Sequence, residues 1–212
     1  MSVSEEHAAS PAVQPAAAAN PVADPAPLGL AAFALTTFLL SAANAHLMNA
    51  ATGSAWLGYA LAYGGGAQLL AGMWEFKNRN VFGATAFSTY GGFWIGLFLW
   101  VQFVAPHATS ASAAGHDLGW ILLAFAIFNT YMLIMSTGLN MAVFLVFLTL
   151  EVTEIVLFIG NFAGNSSMVK VGGYIGVLTA LVAWYASAAG VSAGVNGRIK
   201  LPVGRALLAA RS

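Results

Sequence analysis

Cysteine is absent from the 212 residues, which excludes disulfide scaffolds, thiolate metal sites and cysteine nucleophiles. Charge is scarce: Asp, Glu, Lys and Arg together make up 7% of the chain, where a soluble domain carries about 25%. So few charges cannot cover a water-facing surface. The signs balance, with seven basic and seven acidic residues, so no net basic field exists to attract nucleic acid. There is no HExxH zinc motif and no Walker-type phosphate cradle. A nucleophile elbow is not expected either, and no enzymatic constellation, cofactor or metal site is read from the sequence. His107, His116 and Asp117 share a stretch, but their spacing fits no familiar zinc pattern.

What the chain has in abundance is apolar sequence, at 59% of residues. A helix needs about 20 mostly apolar residues to cross the hydrocarbon core of a bilayer. Six stretches qualify: Leu28–Met48, Ala55–Met73, Ala86–Val104, Leu118–Thr137, Met141–Phe162 and Val171–Val191. Their continuity argues for helices over the alternating pattern of a barrel. The fold class expected is therefore an all-α polytopic membrane protein with six transmembrane helices.

The domain plan has three parts. Residues 1–23 are acidic and then Pro/Ala-rich, and read as a flexible tail without signal-peptide character. Residues 24–197 form the transmembrane domain, and 198–212 a basic tail. Lys77, Arg79, Arg198, Lys200, Arg205 and Arg211 fall on one side of the membrane and Lys170 on the other. The positive-inside rule places the first side, with both termini, in the cytoplasm. Gly92–Gly96, Gly160–Gly164 and Gly172–Gly176 have small-xxx-small spacing. This suits close helix approach, either within one protomer or between protomers. Trp56, Trp74, Trp120 and Trp184 fall near expected helix ends, as an interfacial belt would.

The segment Asp24-Pro-Ala-Pro-Leu-Gly-Leu30 opens the first helix. Asp24 is a natural N-cap and Pro25 a natural first helical residue. Pro27 lacks an N–H, and Gly29 permits close approach of another backbone. Such a start either caps a helix at the membrane surface or receives a small anion from a cavity.

Further along come Tyr63-Gly-Gly-Gly-Ala-Gln68, Ala71-Gly-Met-Trp-Glu-Phe-Lys77 and the run from Asn80 to Trp94 (NVFGATAFSTYGGFW). Ile159-Gly-Asn-Phe-Ala-Gly-Asn165 and Gly197-Arg-Ile-Lys-Leu-Pro-Val-Gly204 follow. With these motifs in this order, the chain resembles the acetate uptake transporter family, also called the succinate–acetate permease or Gpr1/Fun34/YaaH family. Its hallmark has Asn where Asp24 stands. The resemblance runs from Asp24 to about Gly204. It implies a six-helix protomer with its own pore, assembly as a homo-hexamer, and acetate, often succinate, as substrate. Proton-coupled uptake and passive channel conduction both remain open. It also implies an apolar constriction of Phe33, Tyr90 and Leu150. The wider substrate path would take in Pro25, Pro27, Gly29, Thr36, Thr37, Gln68 and Asn161. The Thr36 and Thr37 hydroxyls either line that path or bond the backbone one turn back.

Glu151 and Glu154 stand out without any resemblance. A carboxylate midway along a membrane helix is costly and faces a cavity or a partner. Glu154 lies roughly 40° from Leu150 around the helix and Glu151 roughly 100° away. Glu154 is thus the candidate for proton coupling beside the constriction, with Glu151 as a second candidate or a helix-to-helix bond. A protonated structural pair is the competing reading. Asn129, polar at mid-depth, has no assignment. The function expected is uptake of acetate and related monocarboxylates at a cell membrane, most plainly a bacterial inner membrane. The partners are substrate, protons and lipid. A passive channel or a non-transporting sensor is the alternative.

Overall fold

The computed structural model describes residues 22–48, 54–195 and 198–208. The tail expected at 1–23 lies outside the described residues as far as position 21, as do Gly197 and Arg211. The described residues are helical with no strand. Helix α1 spans Ala26–Asn44, α2 Trp56–Tyr59, α3 Gln68–Lys77, α4 Val81–Leu99, α5 Ala111–Ser136, α6 Met141–Phe162 and α7 Ser166–Gly194. Between α2 and α3 the chain winds as a π-helix over Ala60–Ala67, so α2, the π segment and α3 make one rod. Helix α4 likewise runs on through a π segment, Trp100–Val104, and a short 3₁₀ turn, Ala105–His107. Five helical stretches are long and apolar enough to cross a membrane by themselves. The interrupted α2–α3 rod is the sixth.

The helices start where polar caps dictate, beyond the apolar runs. Asn80 Oδ1 accepts from the Gly83 N–H at 3.0 Å, and Ser110 Oγ from Ala113 N–H at 3.1 Å. Asn165 Oδ1 accepts from Met168 N–H at 3.1 Å. Each satisfies a donor that the first helical turn would leave unpaired. This is why α4, α5 and α7 begin at 81, 111 and 166 and not at 86, 118 and 171. Asn140 caps α6 in the same way, through Val143 N–H at 3.0 Å, and there the hydropathy boundary coincides with the observed one. Asp24 Oδ1 accepts from Ala26 N–H at 3.0 Å, so Pro25 precedes the helix and Ala26 is its first residue.

Helix α1 packs along α7, which packs on α6, and α6 on α5; α3 and α4 form a second layer against α1. Small residues set these approaches. A Cβ on Gly64 would reach the Thr36 side chain, and one on Gly65 would lie 2.6 Å from Ile95. Gly173 faces the backbone of Asn44 and Ala45, and Gly176 faces Ser41. Gly160 and Gly172 pack against Val169 and Leu157. Gly172–Gly176 therefore serves contacts within the chain, as does Gly160, whereas Gly164 lies past the end of α6 with nothing within 4 Å of an added Cβ. Gly92 and Gly96 are exposed with nothing within 4 Å of an added Cβ, so that stripe faces outward. Gly173→Leu would drive a side chain into α1 backbone, which cannot yield as a side-chain tip does. It is expected to abolish recovery of monodisperse protein in detergent, as read by size-exclusion chromatography.

Of the four tryptophans expected at an interfacial belt, Trp74 and Trp120 are exposed, while Trp56 and Trp184 are turned inward. Trp56 is buried in the core, and Trp184 lies on Phe38 with ring centroids 5.3 Å apart. Trp56 does open α2 but is turned into the core, and α7 runs ten residues past Trp184. The start of α1 meets the end of α7, where Ser187 Oγ donates to Pro27 O at 2.6 Å. The segment after α7 runs back over this same face: Tyr185 Oη donates to Pro202 O, and Ala142 and Leu208 N–H groups bond Val203 O and Thr137 O.

Candidate functional site: two cavities meeting at an aromatic constriction

Two cavities lie along the bundle interior. The larger, about 320 Å³, opens at the face that carries the α1 start and is lined there by Asp24, Asn78, Asn80 and Asn140. It deepens past Gln68, Ala86 and Phe87 to Phe33, Tyr90 and Leu150. The smaller, about 40 Å³, begins at the same three residues and continues past Thr37, Ser41, Asn44, Thr153 and Glu154. Phe33, Tyr90 and Leu150 are thus the residues common to both. Phe33 and Tyr90 meet edge-on, with centroids 5.7 Å apart and planes at 63°. All three are buried.

The large cavity is walled by apolar side chains but collects helix starts at its mouth. Asn80 and Asn140 are the N-caps of α4 and α6, and Asp24 and Ala26 open α1. Three positive helix-dipole ends therefore converge on one vestibule, which favours an anion. Behind it, Glu75 is fully buried, and its Oε2 accepts from Asn78 Nδ2 at 2.9 Å. Gln68, at 1% exposure, lines the cavity, and its Oε1 has no protein partner.

The other residues of the expected path divide. Thr37 lines the small cavity, and its Oγ1 is buried without a protein partner. Thr36 does not reach either cavity: its hydroxyl donates to Ala32 O at 3.0 Å, and its side chain packs on Gly64. Being one residue earlier, it points about 100° away from Thr37. Asn161 Nδ2 donates to Leu157 O at 2.8 Å and lines neither cavity. Pro25, Pro27 and Gly29 also stay outside. Pro27 contacts Gly190, and Gly29 leaves room for the Phe87 ring, whose atoms would lie 2.7 Å from an added Cβ. Their part is to seat α1, not to line the path.

The two carboxylates play distinct parts. Glu154, 4% exposed, places Oε1 3.2 Å from Tyr90 Oη, while its Oε2 has no protein partner. Tyr90 Oη also lies 3.1 Å from Asn129 Oδ1. Asn129 Nδ2 donates to Phe147 O at 3.0 Å and to Glu151 Oε2 at 2.7 Å. Its Oδ1 must therefore be the acceptor toward Tyr90, because flipping the amide would set Oδ1 against two other acceptors. The Tyr90 hydroxyl has one hydrogen for two oxygens. Both contacts become hydrogen bonds when Glu154 itself carries a proton and donates it to Tyr90. Glu151 is tied sideways to α5, with Thr130 Oγ1 2.7 Å from its Oε1, and lines neither cavity. The sequence left Asn129 unassigned although it is the hub of this network; only its mid-depth polarity marked it.

Gly190-Val-Ser-Ala-Gly194 spells the nucleophile-elbow pattern. It lies inside α7, where Ser192 Oγ donates to Ala189 O at 2.9 Å, with none of the strand-to-helix turn that exposes a nucleophile. Among the described residues no group of three or more His, Asp or Glu is placed to hold a metal.

Comparison with known proteins follows the same lines. The GPR1/FUN34/yaaH family matches residues 7–205. Acetate permease A of Emericella nidulans is 39% identical over 200 residues, covering 87% of this chain and 67% of the relative. The succinate-acetate/proton symporter SatP of Escherichia coli is 36% identical over 183 residues, covering 86% of this chain and 96% of the relative. The solved structure of the bacterial acetate channel SatP superposes with a TM-score of 0.79 at 34% identity, covering 86% of this chain and 99% of that one. Among yeast relatives the Saccharomyces cerevisiae ammonia transport outward protein 2 is 38% identical, and the chain spans 64% of its length. With a family match over most of its length and a shared fold, the chain is a multi-pass membrane protein that belongs to the GPR1/FUN34/yaaH family.

Proposed function

We propose that the protein carries acetate and related small monocarboxylates across the membrane, through a path inside each protomer. The observation that carries this reading is that two cavities from opposite sides end on the same three residues, Phe33, Tyr90 and Leu150. A narrow apolar ring excludes water and hydrated ions and admits a small solute that can shed its hydration. The three helix starts at the wide mouth draw in a carboxylate, and Thr37 offers an unpartnered hydroxyl on the far side. The reading is of a transporter, in keeping with the transport and channel names among the relatives. The names of the relatives, an acetate permease and a succinate-acetate/proton symporter, agree with that substrate class. The positive-inside rule, applied to Lys77, Arg79 and Arg198, supports a cytoplasmic wide mouth. Assembly as a homo-hexamer uses outward surfaces such as the Gly92–Gly96 stripe.

Transport is coupled to protons through Glu154. An ionised Glu154 beside the constriction repels a passing carboxylate, whereas a protonated one completes its bond with Tyr90. A passive channel is the alternative, in keeping with the channel named among the solved structures. Labelled-acetate uptake by proteoliposomes, against protein-free liposomes, tests the proposal. Saturable uptake above that control is expected; none at any acetate concentration overturns it.

Asp24 sets a charge against incoming anions at the wide mouth. Two negative charges about 4 Å apart repel by about 4 kcal/mol at an effective dielectric of about 20, and screening shrinks this at an exposed site. Asp24→Asn keeps an N-capping oxygen and removes the charge. It is expected to lower the acetate concentration for half-maximal uptake by a few-fold at low salt, and less at high salt.

A further inference from the structure

Asn129 sits on α5 with 0% of its surface exposed. Every polar atom of its side chain is bonded: Oδ1 to Tyr90 Oη, and Nδ2 to Phe147 O and Glu151 Oε2. Glu151 is held in turn by Thr130 of α5. Tyr90 itself is surrounded by rings, those of Phe33, Phe93, Phe125 and Phe128, at centroid separations of 5.5–6.3 Å. These rings set the plane of the Tyr90 ring, whereas rotation about its χ1 swings the ring and its hydroxyl together. How far the ring reaches into the constriction is therefore held by where its hydroxyl is anchored. One anchor, Glu154, gains and loses a proton in the reading above. The other, Asn129, has no alternative orientation, because α6 supplies acceptors on its Nδ2 side only.

We propose that Asn129, locked by Glu151, is a positioning residue that fixes the Tyr90 ring at the constriction and thereby sets the upper size limit of the transported carboxylate. The inference rests on Tyr90 being part of the constriction. It gives Glu151 a role distinct from that of Glu154: Glu151 holds the fixed anchor and never meets substrate. A loosened ring leaves acetate able to pass but admits longer acyl chains.

The test is the ratio of initial butyrate to acetate uptake in proteoliposomes of the full chain. Asn129→Leu, Glu151→Leu and Tyr90→Phe are each expected to raise the ratio by about tenfold, since a methylene or two of added room is worth about 10- to 200-fold in discrimination. Glu151→Gln retains an acceptor for Asn129 Nδ2 and is expected to keep the wild-type ratio, which separates the anchor from the charge. Combining Asn129→Leu with Tyr90→Phe adds nothing further, because both cut one link. A merely structural role for Asn129 would lower both rates together and leave the ratio unchanged, and that result overturns the proposal. If Asn129→Leu does not fold, the half-buried Glu151 decides: a wild-type ratio in folded Glu151→Leu overturns it equally. Leu150→Ala is the control for the underlying reading. A flat ratio there removes the constriction itself, whereas a raised ratio there with flat Glu151→Leu and Tyr90→Phe removes only the anchor.

Discussion

Replacing Glu154 with Gln is expected to leave downhill acetate flux measurable and to abolish accumulation driven by an inward proton gradient. The side chain is buried, its Oε1 is 3.2 Å from the Tyr90 hydroxyl, and it lines the small cavity immediately past the constriction. Glutamine offers an N–H donor where the protonated acid offers an O–H, so the Tyr90–Asn129 geometry survives. What it cannot do is lose a proton. The sign follows directly. In the wild-type protein, raising the pH ionises Glu154 and places a negative charge in the path of another. At an effective dielectric of about 20 and a separation of about 4 Å that repulsion is about 4 kcal/mol, roughly a thousandfold in occupancy. Wild-type uptake therefore falls as pH rises even at constant acetate anion concentration, and Glu154→Gln uptake stays level. Fluxes measured at matched anion concentration over a pH series separate the two. Parallel pH profiles for both proteins would reduce Glu154 to a structural bond with Tyr90.

The second large effect is expected from Leu150→Ala. Leu150 is 6% exposed and is one of the three residues shared by both cavities. Truncation removes three carbons from the narrowest part of the path, and each methylene of added room contributes about 1–3 kcal/mol to discrimination. Uptake of butyrate relative to acetate is expected to rise by at least about tenfold, with acetate uptake itself retained. The same truncation joins the two cavities, so water and small ions leak more readily. Competition of unlabelled butyrate against labelled acetate gives the ratio without needing absolute rates. Unchanged selectivity in a folded Leu150→Ala protein would place the size filter elsewhere.

Much of this was legible in the sequence, and the reasons are local ones. Membrane spans announce themselves because hydrocarbon demands a continuous apolar run, and Met141–Phe162 is a helix over the same residues as its apolar stretch. The placement of Glu154 beside Leu150 followed from helical angle alone, and both do line the small cavity. Helix starts were less legible where the cap stands outside the apolar run, as Ser110 does eight residues before the α5 stretch at Leu118. The π-helix at Ala60–Ala67 was hidden because it answers to neighbours: Gly64 and Gly65 lie against Thr36 and Ile95, residues remote in sequence. Thr36 and Thr37 could not be told apart until the position of α2–α3 was known. Asn129 was the largest omission, since its partners Tyr90, Phe147 and Glu151 come from two other helices. Pairings of that kind are set by packing, not by spacing along one helix.

The absence of cysteine makes the central claim open to direct measurement, since a single introduced thiol is then the only one. Leu150→Cys, reconstituted and treated with a small methanethiosulfonate reagent, places a new group between the two cavities. The account predicts that modification brings labelled-acetate uptake down to the level of protein-free liposomes, and that saturating acetate slows the modification. Complete modification of Leu150→Cys with uptake undiminished would contradict a path between Phe33, Tyr90 and Leu150.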